Sequence, residues 1–302
     1  MTSRYRGITW DHPRGRNALE AAAAASAEQP GGVQIAWQAH SLEHFESHPI
    51  DDLAANFDLI VLDHPHLGEA LEKHSLQPMD AVVGAASIER WSREAVGPSF
   101  DSYSADGYQW ALPLDAATQV AVRRTELVPV APVGWAEVEQ LSARVPVALS
   151  LAGPHAFLSF ASMCSAFGQP VGQDAAGPFV DRTTASVVLE LMRSIASRAP
   201  EGTERLNPIG LLERLSTTGD IAYIPLVYGY VNYSSPTVRF SDAPVTVPGG
   251  RIGSTIGGTG LAVSSRATVT PELVAHIEWL MSAAVQRGFI PEHDGQPSAR
   301  AA

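Results

Sequence analysis

Residues 57–68, FDLIVLDHPHLG, restrict the fold more than any other stretch of the chain. Asp58-Leu59-Ile60-Val61-Leu62 reads as one continuous run with β-branched residues and no polar alternation. A strand of that composition needs cover on both faces, as in a parallel α/β sheet. The run stops at Asp63-His64-Pro65-His66, and a helical pattern resumes over residues 68–74. One carboxylate and two imidazoles therefore stand where a strand ends, and open α/β sheets bind ligands outside the carboxyl ends of their strands. Pro65 restricts the residue before it, so His64 is expected to be extended and to project from the strand end. Its imidazole is expected near its ordinary pKa, able to hydrogen-bond a ligand or exchange a proton.

A second corner repeats the pattern. Residues 5–10 read as a strand, Asp11-His12-Pro13-Arg14-Gly15 interrupts it, and residues 17–28 form an alanine-rich helix. Two readings of this Asp-His-Pro tripeptide stay open. Either Asp11 caps the helix with Pro13 in its first turn, or Asp11 and His12 contact a ligand.

Composition excludes several function classes. A formal net charge of −12 opposes a nucleic-acid or anionic-membrane partner, since both reward clustered Lys and Arg. Lys73 is the only lysine, so neither a P-loop nor a lysine Schiff base elsewhere is available. Cys164 is the single cysteine, and its Met-Cys-Ser-Ala-Phe setting reads as a buried helix face. No apolar window reaches membrane-spanning length, so no membrane insertion is expected. As written, the chain shows no secretory leader, which predicts a cytoplasmic protein, or a periplasmic or extracellular one if a leader has been removed.

Further along, residues 33–37 read as a strand. His40, His44 and His48 recur every four residues beside a polar segment over 41–55, read as a solvated helical face and not as a metal site. Residues 79–95 look helical and 97–107 form a loop. Residues 108–123 lead through Asp115 into a strand and read as a hinge. The pattern then restarts, with helices over 134–143, 153–167, 183–197 and 208–216 and strands over 146–151 and 221–225. Tyr228, Tyr230 and Tyr233 lie among Gly, Asn and Ser, either presenting rings and hydroxyls to a small molecule or packing. Residues 251–265 are glycine-dense; their GGTG is no dinucleotide fingerprint, because strand and helix flank it in the wrong order. Residues 271–287 read as one amphipathic helix with Leu273, Ile277, Leu280, Met281 and Ala284 on one stripe. The tail after Pro291 reads as frayed. No cofactor and no metal are called for.

The order of these pieces resembles the family 1 extracellular solute-binding proteins, the maltose-binding-protein-like subunits of ABC importers. The residues that carry the likeness are the 57–68 strand end with residues 72–80, the LPLDAATQVAVRR crossover, the Val133-Gly134-Trp135-Ala136-Glu137 helix start, the STIGGTGLAVS segment over 254–264, and the helix from residue 271. The resemblance spans nearly the whole chain, although members continue well past a segment like Gly295-Gln296-Pro297. It implies an α/β fold of the two-lobe, periplasmic-binding-protein type (type II). Lobe 1 would hold residues 1–113 and 254–302, lobe 2 residues 114–253, with a ligand cleft between them.

The implied function is binding of a sugar or other polar hydroxylated compound, the lobes closing over it, with an ABC transporter permease as partner. Ligand contacts would come from Trp10, Asp11, His12, His64, His66, Asp115, Tyr228, Tyr230, Tyr233, Gly257, Gly258 and Thr259. The alternative is an intracellular enzyme reusing the fold. Asp11 with His12 and Asp63 with His64 would then supply acid and base, alongside Asp115 and Tyr228.

Overall fold

The computed structural model describes residues 3–173 and 176–297. The chain divides into two compact units, Met1–Ala117 with Gly257–Ala302 and Thr118–Ile256.

The first unit is built on a five-stranded sheet in the order Gln34–His40, Arg4–Trp10, Leu59–Leu62, Gly260–Val263, Leu112–Pro113. The first three strands are parallel, and Gly260–Val263 runs antiparallel to both of its neighbours. Every residue of Leu59–Leu62 is buried, as expected of a strand covered on both faces. The helix Pro13–Ala27 covers one face with Ala18, Leu19, Ala22 and Ala23. Small side chains let this helix lie close to the strands. On the other face, Ile8, Ile60, Leu62 and Ala262 share a core with Leu53 and Leu67. At Gly7 even a methyl group would overlap the Trp37 ring, at 2.4 Å, so the indole lies flat on that strand.

Four expected elements differ in the structure. Residues 79–95 form two helices, Met79–Val83 and Ala85–Glu94, broken at Gly84, whose φ of +83° no helix accommodates. Residues 41–55 are likewise two helices, Leu42–Ser47 and Ile50–Asn56, because His48 is extended before Pro49. His40 ends a strand instead of joining the helical face, and its half-buried ring lies 5.9 Å from that of Phe45 and 6.4 Å from that of His48. The helix Pro271–Leu280 stops short of residue 287. Gln286, fully buried, donates its side-chain amide to the Leu280 carbonyl at 3.2 Å, and a π-turn Val285–Phe289 follows. The apolar stripe nevertheless packs into the core through Leu273, Ile277, Leu280 and Met281. Finally, residues 146–151 make a single parallel bridge, Val147 to Tyr223, and no strand.

The second unit holds a four-stranded sheet in which Ala117–Arg124 pairs antiparallel with Tyr223–Tyr228 and with Val238–Ser241, and also with Ile256–Gly257. Trp135–Ser142, His155–Ala166, Arg182–Ala196 and Pro208–Thr217 are its helices. Two start on side-chain caps, Asp181 accepting from the Thr184 N–H and Asn207 from the Gly210 N–H. Cys164 is fully buried in this core, and burial pushes its thiol up to about 11. Among the described residues no helix is long and apolar enough to cross a membrane.

Candidate functional site: the strand ends of each unit

In the first unit the chain passes from Arg4–Trp10 to Gln34–His40 on one side and then places Leu59–Leu62 on the other. The crossovers diverge between Arg4–Trp10 and Leu59–Leu62, and that divergence leaves a crevice at the strand ends. Both Asp-His-Pro corners lie there. The antiparallel strand begins at the same end, because Gly260 is registered with Leu62 and with Pro113. One edge of one sheet therefore gathers residues 10–14, 63–66, 114–115 and 258–260.

Asp115 is the hub of this edge. Its carboxylate accepts from Arg14 Nε at 2.6 Å and from the Thr259 N–H at 2.7 Å, with both acidic and basic side chains buried. A buried pair with these extra hydrogen bonds meets the condition under which desolvation is compensated. Asp115 thus fastens the first corner to the glycine loop. At Gly258, φ is +108° and an added Cβ would meet the Asp115 carbonyl at 2.4 Å, so no other residue fits.

His12 is the N-cap of Pro13–Ala27, its Nδ1 accepting the Arg14 N–H at 3.1 Å. That bond assigns the acceptor role to Nδ1 and places the proton of neutral imidazole on Nε2. Asp11, expected as the cap under one reading, instead pairs with Arg16 at 2.6 Å. The two adjacent side chains therefore engage different partners, Asp11 the Arg16 guanidinium and His12 the Arg14 N–H. Trp10 is 2% exposed and belongs to the core, its ring 5.2 Å from that of Phe45.

At the other corner the extended residue is Asp63, not His64. His64–His66 forms a 3-10 turn with Pro65 inside it, closed by the His66 N–H donating to the Asp63 carbonyl at 3.1 Å. The turn's hydrogen bonds outweigh the pre-proline preference. His64 is half-buried, its ring edge-on to Tyr103 at 6.4 Å. Burial, with His66 nearby, lowers its pKa below the ordinary histidine value, so the ring is neutral at pH 7. The expectation of an ordinary pKa is corrected accordingly.

In the second unit Tyr228 ends a strand, its hydroxyl 3.1 Å from Thr255 Oγ1 and donating to the Ile256 carbonyl at 3.3 Å. His155, buried at the start of its helix, places its ring 6.1 Å from that of Tyr228. Gln119 and Ser162 complete the cluster: Ser162 donates to Gln119 Oε1 at 2.5 Å and accepts the Thr255 N–H at 2.8 Å. Tyr230 is 5% exposed and Tyr233 donates to Glu213 at 2.8 Å, so both pack on the helix Pro208–Thr217 side of this unit.

Sequence reasoning missed Arg14, Tyr103, His155, Gln119 and Ser162. None carries a local signature; each gains its partners from segments far away in the chain. Among the described residues no group of three His, Cys, Asp or Glu side chains is placed to hold a metal ion.

No protein-family model and no curated protein sequence matches the chain. Solved structures do. Maltose-bound MalE3 of T. maritima superposes with a TM-score of 0.81 at 17% identity, covering 99% of this chain and 82% of that one. An ABC transporter solute-binding protein from Agrobacterium radiobacter K84, in complex with ribitol, gives 0.77 at 18% identity over 99% and 80%. One from Thermotoga lettingae TMO, bound with α-D-tagatose, gives 0.79 at 13% identity over 99% and 82%. The chain has the fold of the ABC-transporter solute-binding proteins. Within that solute-binding fold, the discontinuous unit is the one that carries both Asp-His-Pro corners.

Proposed function

We propose that this chain is a solute-binding protein for a small hydroxylated compound, a sugar or sugar alcohol, with contacts at the strand ends of the first unit and an ABC permease as partner. The observation that carries the reading is the gathering of imidazole, carboxylate and backbone groups at the divergence of the first unit's sheet. The fold supports it: proteins of this fold are described with bound maltose, ribitol, tagatose and mannitol. The neutral His64 imidazole and tyrosine hydroxyls pair with hydroxyl groups as donors or acceptors without imposing a charge. His12, His64 and His66 are the proposed side-chain contacts of the first unit, with backbone groups over 257–259, and Tyr228 is a candidate contact at the strand end of the second. Asp115 holds that loop in place, and Asp11 orients Arg16.

Titration calorimetry and thermal shift with maltose, ribitol, tagatose and mannitol test the proposal. At least one should bind, and a ligand at a hundred times its Kd should add about 2.7 kcal/mol of stability. No stabilisation by any of them, nor by a wider panel of sugars and polyols, would overturn it.

A further inference from the structure

Tyr103 ends a 3-10 turn, Asp101–Tyr103, with no sequence pattern of its own, yet its side chain reaches the centre of the candidate site's edge. Its hydroxyl stands 3.1 Å from the Leu62 carbonyl and 3.3 Å from the Gly258 carbonyl. Leu62 is the last residue before the Asp63–His66 corner, and Gly258 belongs to the glycine loop. One hydroxyl proton thus serves two carbonyls from segments almost two hundred residues apart in the chain. The ring is equally committed. It is 2% exposed, an added Cβ at Gly260 would meet its Cζ at 2.8 Å, and His64 packs edge-on against it. The phenol is a wedge whose width sets the gap between two loops, and whose O–H holds both against it.

We propose that Tyr103 is a positioning residue of the solute site: its hydroxyl fixes the spacing between the 63–66 corner and the 258–260 loop, and with it the placement of His64. This deepens the solute-binding reading and rests on it for its functional consequence. Tyr103 touches no solute in this scheme. It acts through Leu62, Gly258 and His64, and the groups facing that point are Asp63, His66 and Asp115. A purely stabilising tyrosine would be expected to raise the protection of the whole unit evenly, whereas a wedge between two loops acts on those loops first.

The test is Tyr103→Phe, which keeps the ring and removes the hydroxyl. In amide hydrogen exchange, residues 63–67 and 257–260 should exchange about tenfold faster, as expected for one lost hydrogen bond, while Arg4–Trp10 and Gln34–His40 stay unchanged. Histidine-ring NMR should show the His64 titration moving up toward the ordinary value as its loop opens to water. Unchanged exchange in both loops, or an equal acceleration throughout the unit, overturns the proposal. So does a His64 titration that does not move. Affinity for whichever of maltose, ribitol, tagatose or mannitol the unmodified protein binds should fall about tenfold. If the unmodified protein binds none of these or of the wider panel, the functional reading fails, while exchange and titration still decide the role of Tyr103.

Discussion

His64 and Asp115 sit on the same sheet edge but in opposite states, one half-buried beside Tyr103 and the other buried within an ion pair. The difference predicts different mutational outcomes. His64→Ala removes an imidazole at the edge and should weaken solute binding about tenfold with little change in melting temperature. Equal loss of stability and binding would make His64 structural. Asp115→Asn leaves the Arg14 guanidinium buried without its counter-charge, and should cost about 3–5 kcal/mol in urea unfolding. A loss under 1 kcal/mol would show that the pair is not the fastener described. His276 contributes to the pH dependence, as do His40 and His64, whose pKa values burial also lowers. His276 is 6% exposed beside Trp279, and burial lowers its pKa to about 4. The unfolded chain therefore takes up the proton first as pH falls below the ordinary value near 6.5. Stability is complete above that value and is lost between pH 6.5 and 4, on the order of 3 kcal/mol from this group. His276→Phe should flatten that part of the urea-midpoint profile against pH.

At the scale of elements, the strand Leu59–Leu62 and its burial followed from composition, because such a run can be stable only with both faces covered, whereas residues 146–151 make only a bridge. Helix boundaries did not follow as well. Residues 271–287 carry one continuous apolar stripe, but the break after Leu280 depends on Gln286 folding back to the Leu280 carbonyl. Periodicity along the chain does not encode that hydrogen bond. Gly84 separates two helices with a positive φ and open space around it, so Gly84→Ala meets no neighbour and pays only in backbone strain. The expected loss is about 1 kcal/mol by chemical unfolding. A stabilised variant, with the two helices merged into one, would show that tertiary packing does not require the break.

For the whole molecule, the two units differ in how the chain supplies them. The second is one continuous segment with its own core of Val147, Leu149, Met163, Ile195 and Tyr223. The first needs both ends of the chain, because Gly260–Val263 lies between Leu59–Leu62 and Leu112–Pro113, and Leu273, Ile277 and Leu280 fill its core. A fragment of residues 117–257 should therefore fold cooperatively alone, seen as a sigmoidal urea transition by circular dichroism. A fragment of residues 1–117 should not, since its sheet would keep an open apolar edge along Leu59–Leu62. Cooperative folding of the 1–117 fragment would contradict this account.

The sequence by itself determined the α/β class, the strand ends at residues 10–12 and 63–66, the resemblance to solute-binding proteins, and the buried inert character of Cys164. The resemblance rests on the order of the segments along the chain; the others are consequences of local composition, namely apolar runs and turn residues. Only the tertiary structure decided that Asp11 pairs with Arg16 while His12 caps the helix, that His64 enters a 3-10 turn, and that Tyr230 is in the core. It alone revealed Arg14, Asp115 and Tyr103 as the ties across the sheet edge. Those ties join residues 41 to 155 positions apart. A hydrogen bond or ion pair at such separation is set by sheet order and register, and neither is written in the neighbourhood of any one of its residues.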